Sequence, residues 1–370
     1  MGEQLSELMR DEASRIAVPV PPAAAVLTEG RRLRRRRGLA VAASAAAGVA
    51  AIAGGAFLLT GQDRGPDDVG FSVDAYREQG ALAVDDELYV AGLHIPFDRS
   101  VKSFYYTGVG VVVRSGTSPW TDDADVDHYT LVTGDGSRKE LDLQTNDRVV
   151  STEPDSGRLA YAEPTRGGNW AVVVTDLTSG RELDRTVVEG RFSWGGWEAP
   201  PVALDGDVVW VHLDGGWTEV DWRTGEVRAV PGTQSVFEIA NGNYASVHDG
   251  TWTIRSMEDG AVVSTVDVGK DTYGFFSPDG RFIRFFDQMT GLPGAKSLEP
   301  FVYDVTTRAR TPLPAGSDVG WTPGGDLLAL TQDGTVEVCT PDTGACRPTG
   351  LVVHVTKDST IKLGGNPYES

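Results

Sequence analysis

The sequence has few of the residues from which catalytic or cross-linked sites are commonly built. Two cysteines in 370 residues exclude a disulfide-rich miniprotein and a zinc site made of cysteines. The five histidines are scattered, and none forms an H-x-x-x-H or H-E-x-x-H pair. G-x-S-x-G elbows, P-loops and dinucleotide-binding glycine motifs are also missing. The sequence therefore predicts no cofactor and no metal site, and it indicates no particular enzyme class.

Positive charge is also scarce. Lys and Arg number 33 against 53 Asp and Glu, a formal net charge of −20, which argues against nucleic acid as a partner. Hydrophobic residues make up 40% and charged residues 23%, so the composition excludes bulk disorder. The 45 glycines and 20 prolines follow no strict period, which excludes collagen and predicts many turns.

The chain has one long hydrophobic run, over residues 38–60. It carries no charged side chain and follows six arginines at positions 31–37. A helix of about 22 residues spans about 33 Å, enough to cross a bilayer core. We predict a transmembrane helix here, with the N-terminus in the cytoplasm by the positive-inside rule and the C-terminal bulk outside. The alternative is a cleaved signal, because Arg36-Arg37 weakly resembles a twin-arginine motif and Ala51-Ile52-Ala53 a cleavage site.

The segments on either side of this run are polar. Residues 1–37 are predicted to form a cytoplasmic tail that ends in the arginine cluster. Leu5, Leu8 and Met9 fit one face of a short amphipathic helix, which would either dock a cytoplasmic partner or fray in water. Residues 61–79 are predicted to be a linker.

From residue 80 to residue 370 the pattern is one of short β runs. Val, Trp, Tyr and Thr dominate the runs, and Gly, Asp, Asn and Pro separate them, as expected for strands joined by turns. The turn positions recur at a mean spacing of about 42 residues, which matches the roughly 40–45 residues of a four-stranded propeller blade. The positions aligned are 136, 180, 225, 260, 307 and 344.

A second kind of turn begins with proline and leads into an apolar strand. The best copy is Ser277–Ile283 (SPDGRFI), and weaker copies occupy Trp321–Leu330 and Glu153–Tyr161. In these turns the chain resembles the TolB-like and WD-repeat-like propellers, whose blades carry an S-P-D-G-[KR] turn. The layout of basic tail, single span and repeat domain is similar to that of bacterial membrane-anchored propellers. The resemblance covers roughly residues 80–355 and implies a scaffold without specifying its chemistry.

The number of blades follows from the hairpins. Six units are clear, and a seventh can be assembled from Leu82–Ile95 and a C-terminal strand near Leu351–Thr356. Pairing the two ends of the chain would close the ring and remove open sheet edges. We therefore predict a seven-bladed propeller, with six blades as the alternative.

Two groups of potential ligand residues have structural interpretations. Cys339 and Cys346 flank a turn at facing hairpin positions, so outside the cytoplasm they should form a disulfide rather than remain free thiols. Asp123, Asp125 and Asp127 alternate as Ca²⁺ ligands do, but the glycine and distal glutamate of an EF-hand are missing. We interpret this segment as a solvated acidic loop.

Tryptophan is concentrated in one part of the chain, with six of nine between residues 194 and 252. Trp210, Trp222 and Trp252 lie in strand-like runs and are expected to pack between blades. Trp194 and Trp197 lie in a glycine-rich loop, where exposed rings would contact a sugar or a partner side chain. The alternative is that this loop folds its rings back over the sheet.

These features favour a non-enzymatic, single-pass membrane protein. Its extracytoplasmic propeller would bind a protein, a peptide or a cell-wall glycan, and its tail would report to a partner inside. The alternative is a propeller hydrolase or lyase that gathers carboxylates in the central channel.

Overall fold

The computed structural model describes residues 72–119, 126–143, 150–193, 198–230, 236–270, 272–287, 299–313 and 318–365. The predicted tail, the predicted transmembrane run and most of the predicted linker lie outside the described residues. Within the described part of the chain, no helix is both long enough and apolar enough to cross a membrane.

The linker predicted over residues 61–79 ends in a helix. Helix α1 covers Val73–Gln79, and Ser72 caps its N-terminus by accepting a hydrogen bond from the Ala75 N–H at 3.1 Å. Gly80 ends the helix at φ 63°, a left-handed conformation that glycine adopts without steric cost. The last residues before the first strand are therefore structured, and Tyr76 anchors them in the protein core.

The rest of the described chain consists of strands, and all of them belong to one compact unit. In chain order they are β1 (Ala81–Val84), β2 (Glu87–Val90), β3 (Leu93–Pro96), β4 (Ser100–Thr107), β5 (Gly110–Gly116), β6 (His128–Thr133), β7 (Arg138–Leu141), β8 (Ser151–Thr152), β9 (Arg158–Pro164), β10 (Trp170–Asp176), β11 (Glu182–Val188), β12 (Val202–Asp205), β13 (Val208–Leu213), β14 (Gly216–Asp221), β15 (Glu226–Val230), β16 (Val236–Ala240), β17 (Asn243–His248), β18 (Thr251–Ser256), β19 (Val262–Asp267), β20 (Thr272–Phe276), β21 (Phe282–Asp287), β22 (Phe301–Asp304), β23 (Arg310–Pro312), β24 (Asp318–Trp321), β25 (Leu327–Leu330), β26 (Thr335–Cys339), β27 (Cys346–Val352) and β28 (Ile361–Leu363).

These strands form seven antiparallel four-stranded sheets, which confirms the seven-bladed propeller and excludes the six-bladed alternative. Blade 1 has the order β28-β1-β2-β3, and blades 2 to 7 take the remaining strands four at a time along the chain. We label the strands of a blade A to D from the channel outward. Because neighbouring strands are antiparallel, the A–B and C–D turns share one end of the ring, which we call the turn face.

The ring closes by pairing the two ends of the described chain, as predicted. Strand β28 pairs with β1, so that Leu82 lies opposite Leu363, and β28 becomes the innermost strand of blade 1. The predicted C-terminal partner near Leu351–Thr356 was wrong in position. Leu351 instead lies in β27, the outermost strand of blade 7, because the residues after the Cys346 turn continue pairing with β26.

The hydrophobic core lies between adjacent blades. Between blades 3 and 4, for example, Val172 and Val174 pack in one cluster with Val209 and Val211, all fully buried. Burying each such side chain contributes about 1.5–3 kcal/mol. The inner strands contact one another around the channel, which positions their A–B turns side by side.

The recurring C–D turns have a common hydrogen-bonding pattern. Asp176, Asp221 and Asp304 each begin such a turn, and their Oδ1 atoms accept the backbone N–H three residues later at 2.8, 3.0 and 2.8 Å. A short acidic side chain in this place satisfies backbone donors that the tight turn leaves outside the sheet. This local chemistry is the physical basis of the repeat in the sequence.

The fifth residue of these turns adopts a left-handed conformation. Gly180, Gly225 and Gly344 have φ of 72°, 71° and 67°, and their N–H groups each donate to the carbonyl four residues back at 2.8 Å. In blade 6 Arg308 has this role, with φ 64° and the same hydrogen bond. The sequence spacing aligns residue 307 with these glycines, whereas in the structure the equivalent residue is Arg308.

Candidate functional site

A cavity of about 510 Å³ lies at the turn-face end of the central channel. Its lining comes from the inner strands and A–B turns of blades 2 to 6 and from Gly365 after β28, so six separate parts of the chain build it. A concave site where several elements converge is the usual place for ligand binding in a folded protein. We therefore take this cavity as the candidate site.

Part of the cavity wall is apolar. Phe104 and Tyr105 come from β4, Ile239 from β16 and Phe276 from β20. These four side chains are themselves buried in the clusters between blades, so they are held rigidly by the core. The wall of the site is thus partly aromatic and aliphatic, with only a small part of each of these side chains exposed.

The rim of the cavity is acidic. Four carboxylates line it, and the one basic side chain in the lining is Arg158, at the start of β9. The guanidinium of Arg158 lies 5.0 Å from the ring centroid of Trp222, so it stacks on that ring in blade 4. Glu153, Asp155 and Asp279 come from A–B turns of blades 3 and 6, and Asp205 is the last residue of β12 in blade 4.

The turns hold two of these carboxylates in place through one oxygen each. Oε1 of Glu153 accepts the backbone N–H of Gly206 in the next blade. Oδ1 of Asp279 accepts the Ser277 hydroxyl at 2.5 Å and the Arg281 N–H at 3.1 Å. Among the described residues, no hydrogen bond engages Oε2 of Glu153 or Oδ2 of Asp279. These second oxygens are available to a ligand.

The Pro-type turns are built for close contact between blades. Gly280 has φ 67°, and a Cβ there would come within 2.5 Å of the Ala240 carbonyl oxygen in the neighbouring blade. Glycine is therefore required after Asp279. The Asn241 amide then donates to the Asp279 carbonyl at 2.7 Å, which fixes the turn against blade 5.

Helix α1 reaches the same rim. Arg77 forms an ion pair with Asp155, and the Arg77 carbonyl accepts the Gly324 N–H of blade 7 at 3.0 Å. The side chains of Arg77 and Asp155 are 47% and 80% exposed, so the pair lies at the solvent side of the mouth. The N-terminal part of the described chain therefore places a guanidinium on the acidic rim.

The two tryptophans predicted to contact a ligand are Trp194 and Trp197. Both lie outside the described residues, so their contact with a ligand stays a prediction. Trp210, Trp222 and Trp252 are buried in clusters between strands, as predicted.

The predicted disulfide is confirmed. Cys339 and Cys346 lie opposite each other on β26 and β27 and are bonded. A carboxylate oxygen of Glu337 and the two sulfur atoms lie within 4.8 Å of one another, close enough for a metal ion to contact all three. Because the two sulfurs bond to each other, they offer no thiolate to a metal ion.

Asp127 is buried, so the interpretation as a solvated acidic loop is wrong for this residue. Its two oxygens lie 3.1 Å from Lys102 Nζ and 2.7 Å from Arg114 Nη2, and the Lys102 and Asp127 side chains have no exposed surface. Lys102 is an extra residue in β4, where the register with β5 shifts, and such bulges redirect side chains. A buried carboxylate needs cations on neighbouring strands, which the local sequence does not show. Asp123 and Asp125 lie outside the described residues.

The rim residues were visible in the sequence only as turn residues. Asp279 belongs to the best Pro-type turn, and Glu153 and Asp155 belong to its weaker copy. Their convergence depends on the closed ring, which brings distant turns to one opening. A repeated acidic residue in A–B turns would have been the signal to follow.

Comparison with known proteins gives similarity in fold. No family model and no curated protein sequence matches the chain. Among solved structures, it is similar to a chain of the mitotic checkpoint complex (12% identity, TM-score 0.46, covering 86% of this chain and 94% of that one). It is also similar to TolB from Acinetobacter baumannii (13%, 0.37, 77% and 67%) and to the β-propeller domain of the Trilobed protease from Pyrococcus furiosus (14%, 0.42, 67% and 83%). The strand topology itself carries the assignment as a seven-bladed propeller.

Proposed function

We propose that this propeller is a binding module that takes a protein segment, a peptide or a cell-wall glycan into the cavity at its turn face. The observation that carries the proposal is the cavity itself, in which five blades combine apolar walls with a polar rim. Its volume of about 510 Å³ falls within the range of about 300–1,000 Å³ typical of ligand sites. The rigid inner strands would preorganise it.

We also propose that the chain is anchored in a membrane through residues 38–60, with its propeller outside the cytoplasm. The six arginines at positions 31–37 and the uncharged run that follows support this topology. The disulfide between Cys339 and Cys346 is compatible with an oxidising compartment. Protease added to intact cells should then digest the propeller, and carbonate washing should leave the chain in the membrane fraction.

The test of binding compares a blocked cavity with an intact one. Ala240 lines the cavity at the end of β16, and Ala229 is exposed on the outer strand β15. Full-length chains carrying Ala240→Trp or Ala229→Trp would be screened beside the unmodified chain against random displayed peptides and an array of wall glycans. We expect binders that are lost with Ala240→Trp and kept with Ala229→Trp. Binders whose affinity is unchanged by either substitution would show that recognition occurs elsewhere on the chain, which would refute the proposal.

The hydrolase or lyase alternative uses the same cavity, because four carboxylates converge on its rim. Two of them are held by turn hydrogen bonds and a third by Arg77, an arrangement that suits fixed charge better than proton transfer. Turnover of the peptides or glycans that bind would support the alternative. Binding without turnover favours the binding module.

A further inference from the structure

We propose that the cavity recognises a cationic peptide, a segment that inserts a lysine or arginine side chain between the acidic rim and the apolar walls. This inference rests on the proposed binding function and specifies its ligand class. The first argument is charge. Four carboxylates face one guanidinium in the lining, and that guanidinium stacks on Trp222. A concave opening lined by one sign of charge concentrates ligands of the opposite sign.

The second argument is the geometry of the rim oxygens. The turn hydrogen bonds use Oε1 of Glu153 and Oδ1 of Asp279 and so fix both carboxylates. These hydrogen bonds also set the orientation of the second oxygen of each carboxylate, so a ligand can bind without rearranging the turn. An ammonium or guanidinium group prefers such preoriented carboxylate acceptors. The structure thus offers at least two fixed acceptors from blades 3 and 6, on opposite parts of the opening.

The third argument is that the protein already places a guanidinium on this rim. Arg77 from α1 pairs with Asp155, and both side chains remain partly exposed. The pair shows that the rim accommodates an arginine head group arriving from the solvent side. The pair involves only Asp155 of the rim, so the second oxygens of Glu153 and Asp279 are left for an incoming cation.

The fourth argument is the composition of the walls. Phe104, Ile239 and Phe276 line the cavity, each with a small exposed fraction of apolar surface. Lysine and arginine side chains match this arrangement, because their aliphatic stems pack on apolar surface while the charged head stays at the polar level. The cavity volume suits a few side chains and is too small for a folded domain.

The experiment measures binding of a fluorescein-labelled lysine-glycine repeat peptide to the full-length chain by anisotropy. An acetyl-lysine version of the same peptide tests the role of charge. The rim variant replaces three carboxylates by amides that keep the hydrogen-bond acceptor: Glu153→Gln, Asp205→Asn and Asp279→Asn. We expect it to weaken binding of the lysine peptide by about tenfold, and the acetylated peptide to bind weakly to both chains.

A matched control is needed because the whole chain is acidic and attracts cations generally. Asp98, Glu226 and Asp358 are exposed and lie outside the cavity lining. The triple variant Asp98→Asn, Glu226→Gln and Asp358→Asn removes the same charge. We expect it to change affinity by less than about twofold, because exposed charges away from the site are largely screened. Thermal unfolding of both variants checks that the fold is kept.

The outcomes separate this inference from the proposed function. Equal weakening by the rim and control variants would show only general attraction and overturn the inference. So would displacement of the peptide by Ca²⁺ but not by Na⁺ at equal ionic strength, which would assign a divalent cation to the rim. If uncharged binders sensitive to Ala240→Trp are found while the lysine peptide fails to bind, the binding module stands and the cationic ligand is wrong.

Discussion

The ring of Tyr76, on α1, packs edge-on against the ring of Tyr106, on β4, with centroids 5.8 Å apart. The Tyr106 hydroxyl accepts the Ala81 N–H at 2.9 Å and donates to the Ala81 carbonyl at 3.2 Å, at the first residue of β1. A Cβ on Gly364, just after β28, would come within 2.0 Å of the same hydroxyl. Tyr106 therefore lies where the first and last strands of the propeller meet, and α1 packs on that junction.

Removing the Tyr106 hydroxyl should loosen ring closure. Tyr106→Phe leaves the buried Ala81 N–H and C=O without their phenol partner, which we expect to lower the free energy of unfolding by about 1–3 kcal/mol. Urea unfolding followed by tryptophan fluorescence measures the change. Tyr273→Phe is the control, because Tyr273 is 44% exposed and should shift stability by less than about 0.5 kcal/mol. Equal effects of the two substitutions would contradict the role of Tyr106.

The same two tyrosines predict sensitivity to alkaline pH. Burial raises the pKa of Tyr106 well above 10, and burial followed by the charge of Tyr106 raises the pKa of Tyr76. The folded protein thus holds these protons more tightly than the unfolded chain. Their stabilising contribution is complete below pH about 10 and is lost as pH rises toward the folded pKa values, by about 1.4 kcal/mol per pH unit for each tyrosine.

Urea unfolding at stepped pH values above neutrality would measure this loss. The double variant Tyr76→Phe/Tyr106→Phe should show a shallower decline of stability above pH about 10 than the unmodified chain. Parallel declines in the two proteins would mean that other groups dominate alkaline unfolding.

The disulfide should stabilise blade 7 and with it the ring. Cys339 and Cys346 close a loop of eight residues, for which chain entropy predicts about 2.5 kcal/mol. Cys339→Ser/Cys346→Ser should lower the free energy of unfolding by that amount, as measured by urea titration. Reductant added to the unmodified chain should reproduce the effect and leave the double variant unchanged. Stability that is insensitive to both treatments would contradict a closed bond.

Arg308 offers a stabilising substitution. It occupies the left-handed position that Gly180, Gly225 and Gly344 fill in other blades. Arg308→Gly should relieve the strain and raise the free energy of unfolding by about 0.5–1 kcal/mol, after the entropic cost of glycine. Gly225→Ala is the converse test, because nothing crowds a Cβ there within 3.8 Å and only the backbone conformation opposes it. Thermal unfolding should move in opposite directions for the two variants.

The repeat was readable from the sequence because its determinants are local. The C–D turns of blades 3, 4 and 6 contain their own hydrogen-bond acceptor, and those of blades 3, 4 and 7 their own glycine, so the spacing of the blades can be read from the linear sequence. Ring closure was predicted in principle but assigned to the wrong residues. Ile361–Leu363 is only three residues long, too short for a periodic pattern, and it gains its partner only when the ring forms.

Helix α1 and the candidate site escaped prediction for related reasons. Only Tyr76 of α1 is buried, so its seven residues carry no helical periodicity. The carboxylates of Glu153 and Asp279 are more than a hundred residues apart and come together through the order of blades around the channel. The sequence motifs identified these turns, but they could not show which turns would surround the same cavity.

Arg77 provides a test in which the expected change is a gain of binding. Because Arg77 pairs with Asp155, removing its charge should make the Asp155 carboxylate available to a cationic peptide. Arg77→Met keeps an unbranched apolar stem and the backbone contact to Gly324, and we expect it to tighten binding of the lysine-glycine peptide by about threefold. Its stability should change by less than about 1 kcal/mol, because the pair is largely exposed.

The control for this gain is Arg166→Met, which removes the same charge from an exposed residue outside the cavity lining. It makes the chain more acidic by the same amount, so any gain that came from general attraction alone would be equal in the two variants. A gain confined to Arg77→Met assigns the effect to the rim, where a freed carboxylate meets the ligand directly. A loss of binding in Arg77→Met would instead show that α1 helps to build the site, and the peptide would then contact the helix as well as the blades.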